Sequence, residues 1–117
     1  MVGVTTEMRL AHEETFGPVA GLIAFGTERE VVALVNDTPV ALAGYFYSRD
    51  ISRIYRVAEA LEVDMVDVNT GIISDVAAPF GGIKESGLGR EESKYGMDDF
   101  TTVKSITIGG ISNELQG

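Results

Sequence analysis

The sequence contains no cysteine, and its only histidine is His12. The lack of cysteine excludes disulfides, thiolate metal sites and a cysteine nucleophile from these 117 residues. A serine–histidine pair would have to use His12, which we expect to be a polar loop residue without a catalytic role. No spacing typical of metal ligands appears, so we predict no metal site.

Basic residues and long apolar runs are also scarce. Nine lysines and arginines stand against 18 aspartates and glutamates, which gives a net charge of -9. This sign of charge disfavours nucleic acid or an anionic membrane surface as a partner. No apolar run approaches the roughly 18 residues of a membrane span, and the first residues lack the pattern of a signal peptide. We therefore expect a cytoplasmic protein that binds neither nucleic acid nor membrane.

Glycine, in contrast, is abundant, and five of the 14 glycines lie between Asn69 and Glu91. This stretch reads NTGIISDVAAPFGGIKESGLGRE and also contains Pro79, so it suits neither a helix interior nor a central strand. Apolar residues interrupt it at Ile72, Ile73, Val76, Phe80, Ile83 and Leu88. A long glycine-rich loop that keeps such side chains usually lines a pocket or clamps a ligand.

Apolar segments and helical periodicity predict alternating strands and helices. Thr27 opens a capping box before a first helix that should end near Asn36, and Asp50 caps a second, amphipathic helix. Strands are expected at Val19–Phe25, Leu42–Tyr47 and Val63–Val68. This alternation predicts an α/β fold with a parallel-type β-α-β-α-β core, a glycine-rich loop and a C-terminal strand.

The two ends of the chain have weaker patterns. Residues 1–14 show no clear period and are expected to form an extended lead-in. Residues 91–95 are compatible with a short helix. Thr101–Ile108 is rich in β-branched residues and predicts a last strand, which a tail follows. We therefore expect one domain at 1–100, with a strand and tail at 101–117.

Three motifs resemble those of the aldehyde dehydrogenase superfamily: EETFGPV at 13–19, NTG at 69–71 and PFGGIKESGLGRE at 79–91. The context TGIIS at 70–74 and SKYG at 93–96 resembles the succinate-semialdehyde dehydrogenase branch of that superfamily. The resemblance runs from about Val4 to Gly110 and covers the C-terminal portion of such an enzyme. It implies a parent enzyme that oxidises an aldehyde to a carboxylic acid with NAD or NADP.

The resemblance also implies roles for four residues. Glu14 would accept hydrogen bonds from the nicotinamide ribose, and Phe16 would pack near the nicotinamide ring. Phe80 would line the aldehyde pocket, and Ser74 would help to bind the substrate carboxylate. Without the resemblance, Glu14 is a surface carboxylate, the two phenylalanines are core residues and Ser74 is a turn hydroxyl.

The same resemblance places the nucleophilic cysteine, the general-base glutamate and the dinucleotide-binding domain upstream of this segment. We therefore predict no catalytic residue here, no activity from this chain alone and no NAD or NADP bound to it. In family members the strand that corresponds to Thr101–Ile108 joins a sheet at a subunit interface. We accordingly expect a homodimer or a larger homo-oligomer paired through this segment.

Several residues depart from the family pattern. Val40-Ala41 stands where the family usually has an aromatic residue and a glycine, and Asp64 replaces a glycine. Asp67 and Glu92 stand where members of this branch commonly have small residues. Asp64 is expected to keep a left-handed turn, whereas Asp67 places a costly charge in an apolar strand. An alternative interpretation is therefore an engineered or adapted self-associating structural module without a ligand.

Overall fold

The computed structural model describes residues 1–72 and 74–110. Two 3-10 helices, Arg9–Ala11 and Tyr95–Phe100, lie near the two ends of this described part. Between them, in chain order, are α1 (Glu28–Asn36), β1 (Val40–Ala41), β2 (Ala43–Phe46), α2 (Ile51–Ala60), β3 (Met65–Val68), β4 (Phe80–Gly81), β5 (Ile83–Lys84) and β6 (Arg90–Glu91).

Helix α1 begins where the capping box predicts. Thr27 has extended backbone angles, and its Oγ1 accepts a hydrogen bond from the amide of Glu30 at 3.2 Å. The Glu30 carboxylate accepts in turn from the amide of Gly26 at 2.7 Å. The first bond satisfies a backbone donor that the first helical turn would otherwise leave unpaired, and the second pairs the amide just before the N-cap. The helix ends at Asn36, because Pro39 follows closely and disfavours helical angles before it.

Helix α2 is capped by Asp50, as predicted. One carboxylate oxygen of Asp50 accepts from the amides of Ser52 at 2.9 Å and Arg53 at 3.2 Å. Val57, on the apolar side of this helix, is buried. The predicted helix is therefore confirmed, but its predicted apolar face is not buried throughout, because Ile51 and Tyr55 are 63% and 65% exposed.

Strands β2 and β3 pair in parallel, with α2 between them in the chain. Ala43 lies opposite Met65, and Phe46 lies opposite Val68. This β-α-β unit confirms the predicted α/β class and the predicted parallel pairing of these two strands. Met65 is buried in this unit.

The prediction of a strand at Val19–Phe25 is wrong. This segment makes a single bridge, between Val2 and Leu22, in which the amide of Val4 donates to the Leu22 carbonyl at 3.2 Å. A strand requires a hydrogen-bonded neighbour along its length, and the described part of the chain provides one only at this point. The parallel core is therefore one β-α-β unit and not the predicted β-α-β-α-β arrangement.

The ends of the chain also differ from the predictions. Residues 1–14 are not a purely extended lead-in, because a 3-10 helix spans Arg9–Ala11, and Val4, only 4% exposed, belongs to the core. Glu91–Tyr95 is not a helix, because Glu91 pairs in β6 and the 3-10 helix begins only at Tyr95. Thr101–Ile108 forms no strand, because no described segment pairs with it, and Val103 is 98% exposed. The tail at 111–117 lies outside the described residues, and the division at residue 100 stays a prediction.

The described chain buries little apolar surface. Its accessible surface is 9716 Å², whereas a compact protein of this mass exposes about 6,200 Å². Its radius of gyration is 22.7 Å, against about 13 Å for a compact domain of this length. The buried hydrophobic residues of the described part are Val4, Ala41, Val57 and Met65. Most of the apolar surface therefore has no partner within this structure.

One glutamate connects the two helices. The carboxylate of Glu28 accepts from Arg56 Nε at 2.7 Å and from Arg53 Nε at 2.9 Å. The hydrogen bond from Arg56 is the main cause that lowers the pKa of Glu28 from 4.5 to about 2, with Arg53 acting in the same direction. The two arginines favour the ionised carboxylate, so protonation would weaken the link between α1 and α2.

This link predicts a loss of stability in acid. Because the folded chain depresses the pKa of Glu28, the contribution of this residue is complete above about pH 4.5 and declines as the pH falls toward 2. We expect Glu28→Gln to remove part of the acid slope in urea-unfolding free energy measured from pH 6 to pH 2. Glu59→Gln, on the exposed surface of α2, should keep that slope. Equal slopes for Glu28→Gln and the unmodified chain would contradict this assignment.

Candidate functional site

The glycine-rich stretch is folded into two short antiparallel ladders. Strand β5 pairs with β1, with Ile83 opposite Ala41. Strand β4 pairs with β6, with Phe80 opposite Glu91 and Gly81 opposite Arg90. The stretch thus contains short strands that close it on itself and against β1, which fixes the position of Phe80.

Close backbone contacts explain two of the glycines. A Cβ atom on Gly82 would lie 2.6 Å from Cβ of Ser86, and one on Gly81 would lie 2.6 Å from the carbonyl oxygen of Gly89. Real Cβ atoms do not approach other atoms this closely, so a larger residue would displace the loop. The Ser86 hydroxyl oxygen in turn accepts from the amide of Ala41 at 2.9 Å, which joins the loop to β1.

Arg90 binds three carbonyl groups of this loop. Its Nη1 donates to the carbonyl oxygens of Gly82 at 2.9 Å, Gly89 at 2.8 Å and Leu88 at 3.2 Å. Its Nη2 forms an ion pair with Asp64, just before β3. The side chains of Arg90 and Asp64 are 27% and 13% exposed. The guanidinium therefore fixes the loop to the β-α-β unit from a partly buried position.

The expected left-handed turn at Asp64 is wrong. Positive φ angles at residues other than glycine occur in the described chain at Asn69, Lys84, Glu92 and Ser93, and not at Asp64. Asp64 instead supplies the carboxylate for Arg90. An ion-pair partner 26 residues away could not be found from the sequence pattern around Asp64.

Lys84 joins the loop to the helices. Its Nζ donates to the carbonyl oxygens of Asn36 at 2.8 Å and Thr38 at 3.3 Å, and it pairs with Glu62 at 2.8 Å. The Asn36 side chain adds a second link, because it donates to the Ala60 carbonyl at 2.8 Å and accepts from the Glu62 amide at 2.9 Å. The end of each helix and strand β5 are thereby held at one junction.

Phe80 and Glu14 line two adjacent open grooves. Half-buried Phe80 borders a groove of about 310 Å³ whose other walls include Arg90. Glu14 borders a larger groove of about 650 Å³, together with His12. Leu42 and Ser86 belong to the walls of both grooves. The structure thus places these two predicted residues near each other, but not around one cavity.

Phe16 and Ser74 border neither of these grooves. Phe16 is 94% exposed and does not belong to the core. The alternative interpretation of Phe16 as a core residue is therefore wrong. Ser74 is exposed, and its hydroxyl donates to Oε1 of Glu92 at 3.2 Å. The predicted roles of all four residues toward cofactor and substrate stay predictions.

His12 lies in a turn, as expected, where its Nε2 contacts the carbonyl oxygen of Thr6. Residues 1–72 and 74–110 contain no group of three or more histidine, cysteine or acidic side chains that could hold a metal ion. Within the same residues, no helix has the length and apolar character needed to cross a membrane.

Two of the unusual acidic residues have unpaired buried atoms. Asp67 Oδ2 and Glu92 Oε2 are both buried without a hydrogen-bond partner in the described chain. The predicted position of Asp67 in a strand is therefore confirmed, in β3, and the cost of its charge there stays a prediction. The contact between Glu92 and Ser74 was not predicted. The unusual glutamate at position 92 indicated only that this position differs from the family pattern.

Comparison with known proteins assigns the fold. The model of the aldehyde dehydrogenase family matches residues 1–106. The chain belongs to the aldehyde dehydrogenase family. Members of this family use NAD or NADP. The structure of a Bacillus cereus aldehyde dehydrogenase with NAD⁺ is 37% identical to this chain. It has a TM-score of 0.86 and covers 90% of this chain and 21% of that chain.

The similar proteins include several with succinate semialdehyde in their names. Succinate-semialdehyde dehydrogenase [NADP(+)] 1 of Schizosaccharomyces pombe is 61% identical over 101 residues, which are 86% of this chain and 20% of the yeast protein. A 3-sulfolactaldehyde dehydrogenase of Pseudomonas putida is 56% identical over 92% of this chain and 22% of its own length. The Burkholderia pseudomallei succinate-semialdehyde dehydrogenase structure is 60% identical, with a TM-score of 0.81 over 85% of this chain and 21% of that chain. The chain thus spans about a fifth of each of these proteins.

The ion pair between Asp64 and Arg90 predicts a loss of stability when it is broken. Asp64→Ala leaves one donor of a partly buried guanidinium unpaired, and we expect the free energy of unfolding to fall by about 2 kcal/mol. Glu13→Ala is the matched control, because the Arg9–Glu13 pair is 87% and 56% exposed and should contribute little. Urea unfolding measures both effects. A loss for Glu13→Ala as large as that for Asp64→Ala would contradict the assignment.

Proposed function

We propose that this chain provides part of the substrate-side wall of an NAD(P)-dependent aldehyde dehydrogenase of the succinate-semialdehyde branch. The reaction of such an enzyme converts an aldehyde and water into a carboxylic acid, transfers a hydride to the oxidised dinucleotide and releases one proton. The observation that carries the proposal is the 61% identity to the yeast enzyme over 101 residues. The ordered loop around Phe80 supports it, because a fixed apolar side chain at the border of a groove suits an aldehyde.

Each candidate residue would contribute binding and not covalent chemistry. A carboxylate such as Glu14 can accept hydrogen bonds from two ribose hydroxyls. Phe16 would provide a flat apolar surface for a nicotinamide ring, and its 94% exposure leaves that surface free. The hydroxyl of Ser74 can donate one hydrogen bond to the end of a substrate remote from the aldehyde group. The sequence holds no cysteine to form a thiohemiacetal with the aldehyde.

An exchange of segments tests this proposal. The matched fifth of the Schizosaccharomyces pombe enzyme is replaced by this chain, and aldehyde oxidation is followed with NADP in the full-length hybrid. We expect the hybrid to oxidise at least one aldehyde, with the unmodified yeast enzyme as the positive control. A correctly folded hybrid that oxidises no aldehyde would overturn the proposal.

We expect the chain by itself to lack both turnover and tight dinucleotide binding. A dehydrogenase assay with succinate semialdehyde and either NAD or NADP should give no rate that follows the purified chain. Calorimetry with each dinucleotide should give a dissociation constant weaker than about 1 mM, which corresponds to about -4 kcal/mol. A measurable rate would contradict the expected inactivity. Tighter binding would instead favour a residual nucleotide-binding function.

A second candidate function is self-association without a ligand. The exposed residues Val103, Ile106 and Ile108 are 98%, 74% and 71% exposed, and they lie on a segment of high strand propensity. Such a segment can pair with an identical segment of another copy, and twofold pairing satisfies both. This observation favours assembly through Thr101–Ile108, whether the module arose naturally or by engineering.

Light scattering across a concentration series tests the proposed assembly. We expect a mass of at least two chains, because pairing with an identical segment would bury the exposed apolar side chains of Thr101–Ile108. Deletion of residues 101–117 should reduce that mass to one chain. A monomer at high concentration would refute the prediction, as would an unchanged mass after the deletion.

A further inference from the structure

Ser74 is held against a carboxylate. Its hydroxyl donates to Glu92 Oε1 at 3.2 Å, although 18 residues separate the two in sequence. The amide of Ser93 donates to the carbonyl oxygen of Val76 at 3.0 Å, so the backbones of the two segments are also joined. The contact between the hydroxyl and the carboxylate is therefore supported by a main-chain hydrogen bond beside it.

Glu92 occupies an unfavourable position. Its φ angle is 58° and that of Ser93 is 47°, in the left-handed region that suits glycine better than residues with a Cβ atom. Oε2 of Glu92 is buried and has no hydrogen-bond partner in the described chain. A carboxylate oxygen can only accept a hydrogen bond, so the group that would complete this position is a donor.

The charge of Glu92 is not compensated nearby. None of the ion pairs formed by the described residues includes this carboxylate. Of the two basic residues that lie two positions away in sequence, Arg90 pairs with Asp64, and Lys94 directs its Nζ to within 5.0 Å of the centre of the Tyr95 ring. The Ser74 hydroxyl is the group that meets Glu92, and it is neutral.

We propose that Glu92 is a specificity-determining residue that disfavours aldehydes ending in a carboxylate and favours aldehydes of similar length ending in a hydroxyl. This inference rests on the proposed function, because it requires Ser74 to face the end of the substrate remote from the aldehyde group. The reaction at the aldehyde is unchanged. The inference concerns only which remote group the site accepts.

Two physical effects act in the same direction. The hydrogen of the Ser74 hydroxyl is already donated to Glu92, so a substrate carboxylate would have to displace that bond. Two carboxylates a few ångströms apart also repel each other. This repulsion is stronger at a partly buried position than in water. A substrate hydroxyl is instead neutral, so the Glu92 carboxylate does not repel it, and it can donate a hydrogen bond to that carboxylate.

The test uses the full-length hybrid enzyme that carries this chain. The ratio kcat/KM is measured for succinate semialdehyde, 4-hydroxybutanal and butanal, which share a four-carbon skeleton and differ at the remote end. We expect the hybrid to prefer 4-hydroxybutanal to succinate semialdehyde. Glu92→Gly and Glu92→Gln should each raise kcat/KM for succinate semialdehyde about tenfold and change that for butanal less than twofold. The control Glu59→Gln removes one negative charge from the exposed surface of α2 and should change none of the three values.

A reciprocal exchange keeps the inference testable if the hybrid folds poorly. Glutamate is placed at the position of the unmodified Schizosaccharomyces pombe enzyme that aligns with Glu92, and the same three aldehydes are assayed. We expect kcat/KM to fall about tenfold for succinate semialdehyde and to stay nearly constant for butanal. Loss of all three activities to the same extent would indicate a structural effect and overturn the inference.

The outcomes separate this inference from the proposed function. A hybrid that oxidises these aldehydes, but whose preference does not respond to Glu92→Gly or Glu92→Gln, refutes the role of Glu92 and leaves the proposed function standing. A folded hybrid without activity toward any aldehyde refutes the proposed function, and the inference fails with it. A preference for 4-hydroxybutanal that Glu92→Gly reverses supports both.

Discussion

The guanidinium of Arg90 is the interaction on which the glycine-rich region depends. It binds three carbonyl oxygens of the loop and the carboxylate of Asp64, so it joins segments that share no strand ladder. A planar group with five donors suits this task, because its two terminal nitrogens point in different directions and can bind the loop carbonyls and the carboxylate at the same time. Without it, the loop that borders the Phe80 groove would be held by two-residue strands and by the contacts of Ser86 and Lys84 alone.

The local elements could be predicted because their signals are local. Thr27 and Asp50 cap their helices through bonds to amides two or three residues away. The parallel pairing of β2 and β3 followed from the amphipathic helix between them. The family could be recognised for a related reason, since its motifs at 13–19 and 79–91 are continuous stretches of sequence.

The failed predictions concern segments whose contacts are distant in sequence, or which have no pairing partner in the described chain. Val19–Phe25 and Thr101–Ile108 have the composition of strands, but composition does not provide a hydrogen-bonding neighbour. Asp64 and Glu92 were noticed as unusual, yet their contacts lie 26 and 18 residues away. The four site residues came from the resemblance to the family, and the structure places only Glu14 and Phe80 in adjacent grooves.

The junction around Lys84 has a consequence for the chemistry of its amine. Three oxygen atoms, from Asn36, Thr38 and Glu62, surround Nζ, and only a quarter of the side chain is exposed. A side chain held in this way must leave several hydrogen bonds before its nitrogen can approach an electrophile. Acylating reagents should therefore modify Lys84 slowly while the junction is intact, and its labelling rate would report when the helices separate from the loop.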